Sequence, residues 1–401
     1  MNFKDIVINV DEAWLKGKNR KTYYTTLKAN IRKVIKYYIK DEFTIFNEQQ
    51  RFLAKCEEGF SEDLIIRLCD TPGVHSILPI VKGSLDLEEI SKIIVESVKE
   101  QEDVKTFKIR SKRVDKRYPM GSDAINRFVA ERVLKQTDKI VDVKKPDLFI
   151  DIKIMNDFSY FSFKRYYAMG GLPVGTNGSL ITLLSGGIDS PVASYMMAKR
   201  GAKQHFVFFH AYPYVGHEVK DKIFALMKRL SQFQNGTALY VVPFGEVQAH
   251  IAKVCKEDYR TLLFRKYMMD IASLIGENLK ADAILMGDAL GQVSSQTIGN
   301  MSALDRYAEK MVLRPLVGFN KRDVIEIAEK IGTFDISKEP HDDACALFAP
   351  KHPVTVPNVK YLDSFVEENP CHELLKKSVE EAELFIYNVR GDTIRTGKPR
   401  E

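Results

Sequence analysis

The stretch Ser185-Gly186-Gly187-Ile188-Asp189-Ser190-Pro191 constrains this chain more than any other. It follows the apolar run Leu180-Ile181-Thr182-Leu183-Leu184 and precedes Val192-Ala193-Ser194-Tyr195-Met196-Met197-Ala198, which reads as a helix. A strand therefore feeds a glycine turn that feeds a helix. Ser190 is placed to cap that helix, and Pro191 suits its first position, where no amide hydrogen is needed. Two adjacent glycines remove the Cβ atoms that would keep an anion away from the backbone N–H groups. The helix N-terminus adds its partial positive charge, so the turn is read as a phosphate cradle. Asp189 does not suit a bare cradle. Its carboxylate would repel the anion unless it works through a bound cation, for which Mg²⁺ is the candidate. The loop G-x-x-x-x-G-K-[ST] occurs nowhere in the chain. The bland alternative is an ordinary strand–turn–helix corner.

A chain of 401 residues with 45% hydrophobic and 28% charged residues is long enough for two or three globular domains. The start, Met1-Asn2-Phe3-Lys4-Asp5, has no apolar core of signal-peptide length, and no apolar run approaches the roughly 20 residues that span a bilayer. A cytoplasmic protein with no membrane partner is expected. The five cysteines are scattered and include no C-x-x-C pair, so no metal site is singled out. The net charge is only +6, but the first forty residues carry ten Lys or Arg against three acids, a local balance of +7. Clustering of that kind is the footprint of a polyanion binder. A solvated helix face is the plain alternative.

Three domains are expected along the chain. Residues 1–58 read as a small basic α/β unit: a strand at Asp5–Val10, the loop Leu15-Lys16-Gly17-Lys18-Asn19-Arg20, and a helix from about Lys21 to Lys40. Residues 59–168 form a second unit. Leu64–Leu68 and Ile77–Val81 read there as strands, and Leu87–Val98 as a helix. Residues 105–117 hold seven basic residues against one acid, and the alternation through Lys108-Ile109-Arg110 suits a strand with one basic face. Phosphate contacts from such a face give affinity and salt dependence without reading bases. Four glycines and a proline within residues 169–179 mark the boundary to a third unit, 169–401. There strand and helix alternate, the pattern of an open parallel sheet with helices on both faces. Ligands of such sheets bind beyond the carboxyl ends of the strands. After Pro370 only a charged helix is read.

The Ser185–Ser190 string resembles the SGGxDS loop of the ATP pyrophosphatases, and the run Phe107-Lys108-Ile109-Arg110-Ser111-Lys112-Arg113 through Tyr118-Pro119 resembles the THUMP domain of tRNA-modifying enzymes. With Gly291-Gln292-Val293-Ser294-Ser295-Gln296-Thr297, Leu313-Arg314-Pro315-Leu316 and Ile331-Gly332-Thr333, the resemblance extends over nearly the whole chain and is to the tRNA 4-thiouridine synthetase (tRNA sulfurtransferase) family. The fold it implies is an α/β pyrophosphatase domain preceded by small α+β ferredoxin-like and THUMP domains. The activity it implies is ATP-dependent replacement of the O4 of uridine 8 in tRNA by sulfur, and in bacteria also sulfur transfer to the carrier protein of thiamine synthesis. ATP and Mg²⁺ are the implied cofactors. A cysteine desulfurase is the implied sulfur donor, and a homodimer is left open.

Carried over residue by residue, ATP is expected along Leu183, Leu184, Ser185, Gly186, Gly187, Asp189, Ser190, Phe208, Phe209, Arg265, Gly287 and Gln296. Asp189 matches the family's adenylation residue, and Lys321 a lysine placed to neutralise the departing pyrophosphate. Cys345, in His341-Asp342-Asp343-Ala344-Cys345, is the expected persulfide carrier, with Cys255 and Cys371 weaker candidates for a resolving thiol. Lys16, Lys18, Arg20, Lys108, Arg110, Lys112, Arg113, Lys116 and Arg117 are the expected tRNA contacts. Two departures from the family stand out. Many relatives have two adjacent cysteines where this chain has Ala344-Cys345, and longer ones add a rhodanese domain. Amidating ligases share the loop but do not need a basic N-terminal third. Another tRNA-modifying enzyme with the same loop, or a tRNA-binding protein with a relict nucleotide site, are the remaining alternatives.

Overall fold

The computed structural model describes residues 2–48, 50–214, 216, 218–340, 348 and 350–399. Cys345 and its neighbours 341–347 lie outside the described residues. The chain divides into two units: residues 1–15, 35–70 and 74–170 in the first, and 16–34, 71–73 and 171–401 in the second.

In chain order the elements are β1 (Asn2–Val10), α1 (Arg20–Tyr38), β2 (Phe43–Glu48), β3 (Arg51–Ser61), α2 (Glu62–Cys69), β4 (Val74–Gly83), α3 (Leu87–Lys99), β5 (Thr106–Arg113), α4 (Ser122–Gln136), β6 (Ile140–Val141), β7 (Leu148–Ile154), β8 (Ser159–Ser162) and β9 (Tyr166–Tyr167). Among the described residues the first unit holds a nine-stranded sheet in the order β2-β3-β1-β4-β8-β7-β5-β6, with β9 beside β4. The expected boundary at 58–59 falls inside β3, and β4 joins both expected N-terminal domains through one sheet by pairing with β1 and β8. The loop bearing Lys16, Lys18 and Arg20 belongs to the second unit, where Asn30 Nδ2 donates to the Val174 carbonyl at 3.1 Å.

Leu64–Leu68, expected as a strand, is helical in α2. The Ser61 hydroxyl accepts from the Leu64 amide, and Glu62 and Asp63 occupy the first turn where the dipole favours anions. In β5 the alternation holds. Phe107 and Ile109 join Ile90, Ile94, Ile125 and Val129 of α3 and α4 in a buried core, while Arg110 and Lys112 are exposed.

The second unit continues with β10 (Ser179–Leu183), α5 (Asp189–Lys199), β11 (Lys203–His210), α6 (Glu218–Phe233), β12 (Thr237–Pro243), α7 (Gly245–Val254), α8 (Arg260–Asn278), β13 (Ala283–Leu285), α9 (Ile298–Arg306), β14 (Met311–Leu313), α10 (Lys321–Lys330), α11 (Phe334–Ser337), α12 (Val359–Glu368), α13 (His372–Glu380), β15 (Glu383–Tyr387) and β16 (Thr393–Gly397). Its sheet runs β14-β13-β10-β11-β12-β15-β16. The first five strands are parallel, as expected, and the sheet is wound with helices between them. The segment after Pro370 adds more than a helix: β15 pairs antiparallel with β12, and β16 with β15. The chain enters at the centre on β10, moves outward through β11 and β12, then returns to the other side of β10 with β13. The crevice between β10 and β13 is thus the point where the connections reverse, which is where open α/β sheets bind ligands. No described helix is long and apolar enough to cross a membrane.

Candidate nucleotide and sulfur-transfer site

The loop after β10 and the loop after β13 border a cavity of about 390 Å³. All twelve residues expected to contact ATP line it: Leu183, Leu184, Ser185, Gly186, Gly187, Asp189, Ser190, Phe208, Phe209, Arg265, Gly287 and Gln296. The strands set this arrangement. Leu183 ends β10, Phe208 and Phe209 lie near the end of β11, and Gly287 follows β13.

The loop is built differently from the expectation in one respect. Ser190 does not cap α5, which has no side-chain cap. The buried Ser190 hydroxyl instead accepts from the Ser185 amide at 2.9 Å and lies 3.1 Å from the Ser185 hydroxyl, tying the turn to itself. The first-turn amides of α5 are left for another acceptor. A Cβ on Gly187 would meet only the Ser185 Oγ, at 3.6 Å, so the space over this glycine is open. Gly287 is a glycine for another reason. A Cβ there would stand 2.7 Å from the Ser190 amide nitrogen and 2.8 Å from its Cα. It lets the two loops touch backbone to backbone.

Asp189 and Lys321 form an ion pair. The Lys321 Nζ lies 2.8 and 2.9 Å from the two carboxylate oxygens, and the Gln292 Nε2 donates to Asp189 Oδ2 at 2.9 Å. Lys321 is the first residue of α10, whose Asn320 cap accepts from the Asp323 amide at 3.0 Å. Arg265 is equally engaged: Nη2 donates to Asp288 Oδ1 at 2.5 Å and Nη1 to the Ser295 carbonyl at 3.0 Å. Asp288 also accepts from Arg314 Nε at 3.0 Å. Burial alone would lower the Arg314 pKa, but the hydrogen bonds to Asp305 and Asp288 and their charges outweigh it, and the net shift is upward. Asp288, Gln292 and Arg314 were not singled out from the sequence as site residues. Asp288 had a signal, since it stands next to Gly287 past the end of a crevice strand.

Asp189 and Lys321 balance each other, as do Asp288 and Arg265. The charged side chains that line the cavity, Asp189, Asp288 and Arg265, therefore bring no positive surplus toward an anion, whereas the backbone amides of the turn are donors. Among the described residues no group of three His, Cys, Asp or Glu could cage a metal. Asp189 alone suits a cation that arrives with phosphate ligands, because Mg²⁺ typically takes one or two carboxylates with phosphate oxygens and water.

Of the expected tRNA contacts, Arg110 makes a bidentate pair with Asp151 at 2.7 and 2.9 Å and lies 4.0 Å from the Phe149 ring centroid. Arg117 is held by Asp115 at 2.8 Å, Arg113 donates to the Tyr118 carbonyl, and Lys108 donates to the Val143 carbonyl. Lys18, Lys112 and Lys116 are exposed, and the Lys16 ammonium lies over the Tyr23 ring. The weaker thiol candidates are poorly poised. Burial pushes Cys255 up to about 11 and also raises Cys371, which sits at the start of α13 beside Tyr267.

Comparison with known proteins agrees along the length of the chain. Residues 175–369 match the family described as "Thiamine biosynthesis protein (ThiI)", residues 85–164 the THUMP domain, and residues 5–77 the ThiI ferredoxin-like domain. A probable tRNA sulfurtransferase of Brevibacillus brevis is 35% identical over 386 residues, 96% of each chain. One from Caldanaerobacter subterraneus is 38% identical over 380 residues, covering 91% of this chain and 99% of that one. The crystal structure of a 4-thiouridine synthetase–RNA complex with bound ATP superposes with a TM-score of 0.85 at 30% identity, covering 96% of this chain and 99% of that one.

Proposed function

The chain belongs to the ThiI family of tRNA sulfurtransferases, and from that membership we propose how its site carries out the reaction. The protein is an ATP-dependent tRNA sulfurtransferase that forms 4-thiouridine. The observation that carries the finer reading is the convergence of all twelve expected nucleotide residues on one cavity at the switch point of the sheet. We place the triphosphate over Gly186 and Gly187, against the uncapped N-terminus of α5, and the nucleoside against Phe208 and Phe209. Asp189 would hold Mg²⁺, which neutralises phosphate charge when bound. Lys321, within reach of the same loop, stabilises the departing pyrophosphate.

Uridine O4 is a poor leaving group. Its attack on the α-phosphorus of ATP releases pyrophosphate and makes AMP the leaving group at C4. The terminal sulfur of a persulfide then attacks C4, the C4–O bond breaks and AMP departs. A second thiol cuts the remaining S–S bond, leaving a disulfide that a reductant must reopen. Cys345 is our candidate for the persulfide. The raised thiols of Cys255 and Cys371 argue against either as the resolving group. A cysteine desulfurase is the proposed donor, and a second role toward the thiamine-pathway sulfur carrier rests on the family name alone.

The test incubates the full chain with ATP, Mg²⁺, unmodified tRNA, cysteine and a desulfurase, and measures AMP and 4-thiouridine together. Equal amounts of both are expected, and Cys345→Ser should release pyrophosphate without thiolating. AMP formation that never accompanies a change in tRNA would sink the reading.

A further inference from the structure

Four charged side chains form a continuous line that starts in the cavity wall and runs away from it. Asp305 accepts both terminal nitrogens of Arg314, at 2.7 and 3.0 Å. Arg314 Nε donates to Asp288 Oδ2 at 3.0 Å, and Asp288 Oδ1 accepts from Arg265 Nη2 at 2.5 Å and from Gln296 Nε2 at 3.4 Å. The Asp288, Arg314 and Arg265 side chains are only 7, 9 and 11% exposed, whereas Asp305 is 48% exposed. Arg265, Asp288 and Gln296 line the cavity, and Arg314 and Asp305 stand behind it. The four formal charges sum to zero. Arg265 therefore brings no surplus charge to an anionic substrate. What it brings is direction: a planar fork with two of its five N–H groups fixed on Asp288 and Ser295.

Resting on the reading that this cavity takes ATP, we propose that Asp288 is a positioning residue for uridine adenylation. It aims the Arg265 fork at the charge developing on the reacting phosphate, and Arg314 and Asp305 hold Asp288 in place. Transition-state donors are effective when they need no reorganisation at the moment of reaction, and a shared buried carboxylate supplies that rigidity. The proposal makes a prediction of unusual sign. Asp288 places a negative charge beside an anion site, so removing that charge should not weaken nucleotide binding, yet it should slow the chemical step.

The experiment compares the full-length wild type with Asp288→Asn and Asp305→Asn. It reads the Kd of ATP by calorimetry and the single-turnover rate of AMP formation with saturating tRNA. For Asp288→Asn we expect an ATP Kd that is unchanged or tighter and an AMP-forming rate lower by about 10-fold or more. For Asp305→Asn, which touches neither cavity nor nucleotide, we expect an unchanged Kd and a rate lower by roughly threefold, the smaller effect of loosening a supporting residue. A folded Asp288→Asn whose Kd weakens in step with its rate shows a merely structural role and overturns the proposal. So does an unchanged rate. If Asp288→Asn cannot be purified folded, Asp305→Asn decides: a wild-type rate overturns the proposal. A wild-type chain that neither binds ATP nor makes AMP would instead refute the underlying function.

Discussion

The wall of the nucleotide cavity and the basic face of β5 both gather arginines against aspartates, and they do so in opposite styles. In the wall, Arg265 and Arg314 share Asp288 with side chains almost wholly out of water. On the sheet face Arg110 pairs with Asp151 while still 42% exposed, and in the turn after β5 Arg117 pairs with Asp115 while 88% exposed. Charges in the first setting are poorly screened and geometrically fixed. Those in the second are screened by salt and contribute little to the stability of the fold. The difference suits the two tasks we propose for these residues. Moving a nucleotidyl group needs donors that do not shift, whereas holding an RNA backbone needs mobile positive charge that can exchange a carboxylate for a phosphate.

The contrast can be broken most severely at Asp189. Asp189→Asn should lower AMP formation by about 10²–10³-fold while leaving tRNA affinity at the wild-type value. Near-full adenylation in that variant would remove the catalytic role from the loop. Gly287→Ala comes next. Its new Cβ would meet backbone, not a yielding side chain, so we expect a stability loss of about 1–3 kcal/mol and a raised KM for ATP, read by thermal unfolding and steady-state kinetics. A variant as stable as the parent would mean that the loops have slack.

The interior of the C-terminal unit should also resist titration. Burial, helped by the charge of Lys203, lowers the His205 imidazole on β11 to about 4. The unfolded chain therefore binds a proton below about pH 6.5 that the folded chain refuses until near pH 4, and stability must fall as pH drops through that window. At pH 5 the loss relative to pH 7 is about 2 kcal/mol, and His205→Leu should flatten the slope. An identical pH profile in the variant would show that the imidazole is solvated. The smallest effect belongs to β5 and the turn that follows it. Lys112→Ala and Lys116→Ala should each weaken tRNA binding by about threefold and reduce the salt slope by roughly one, with adenylation at saturating tRNA unchanged. A loss that is independent of salt would point away from phosphate contacts.

What the sequence disclosed follows from distance along the chain. The glycine turn, its strand and its helix are contiguous, so the cradle and its neighbours could be read directly. Asp288 lies 23 and 26 residues from Arg265 and Arg314, and Lys321 lies 132 residues from Asp189. No local pattern announces such pairs, although Asp189 and Arg314 each stood in a motif. Leu64-Ile65-Ile66-Arg67-Leu68 was ambiguous because a short apolar run suits strand and helix alike. The deciding signal was Ser61 with two acids behind it. The hairpin β15–β16 stayed hidden because Leu384, Phe385 and Ile386 are all half-buried and show no two-residue alternation.

The contact between Gly287 and Ser190 has a consequence for how such a site can change. Where main chain abuts main chain, no exchange of side chains can widen the gap, so the distance between the two gripping loops is inherited with the sheet itself. New specificity in this architecture has to come from the other lining positions, such as Thr261 and Met268 of α8, whose side chains can be replaced. The part of the opening between the two loops is a fixed gauge, and the remainder is open to variation.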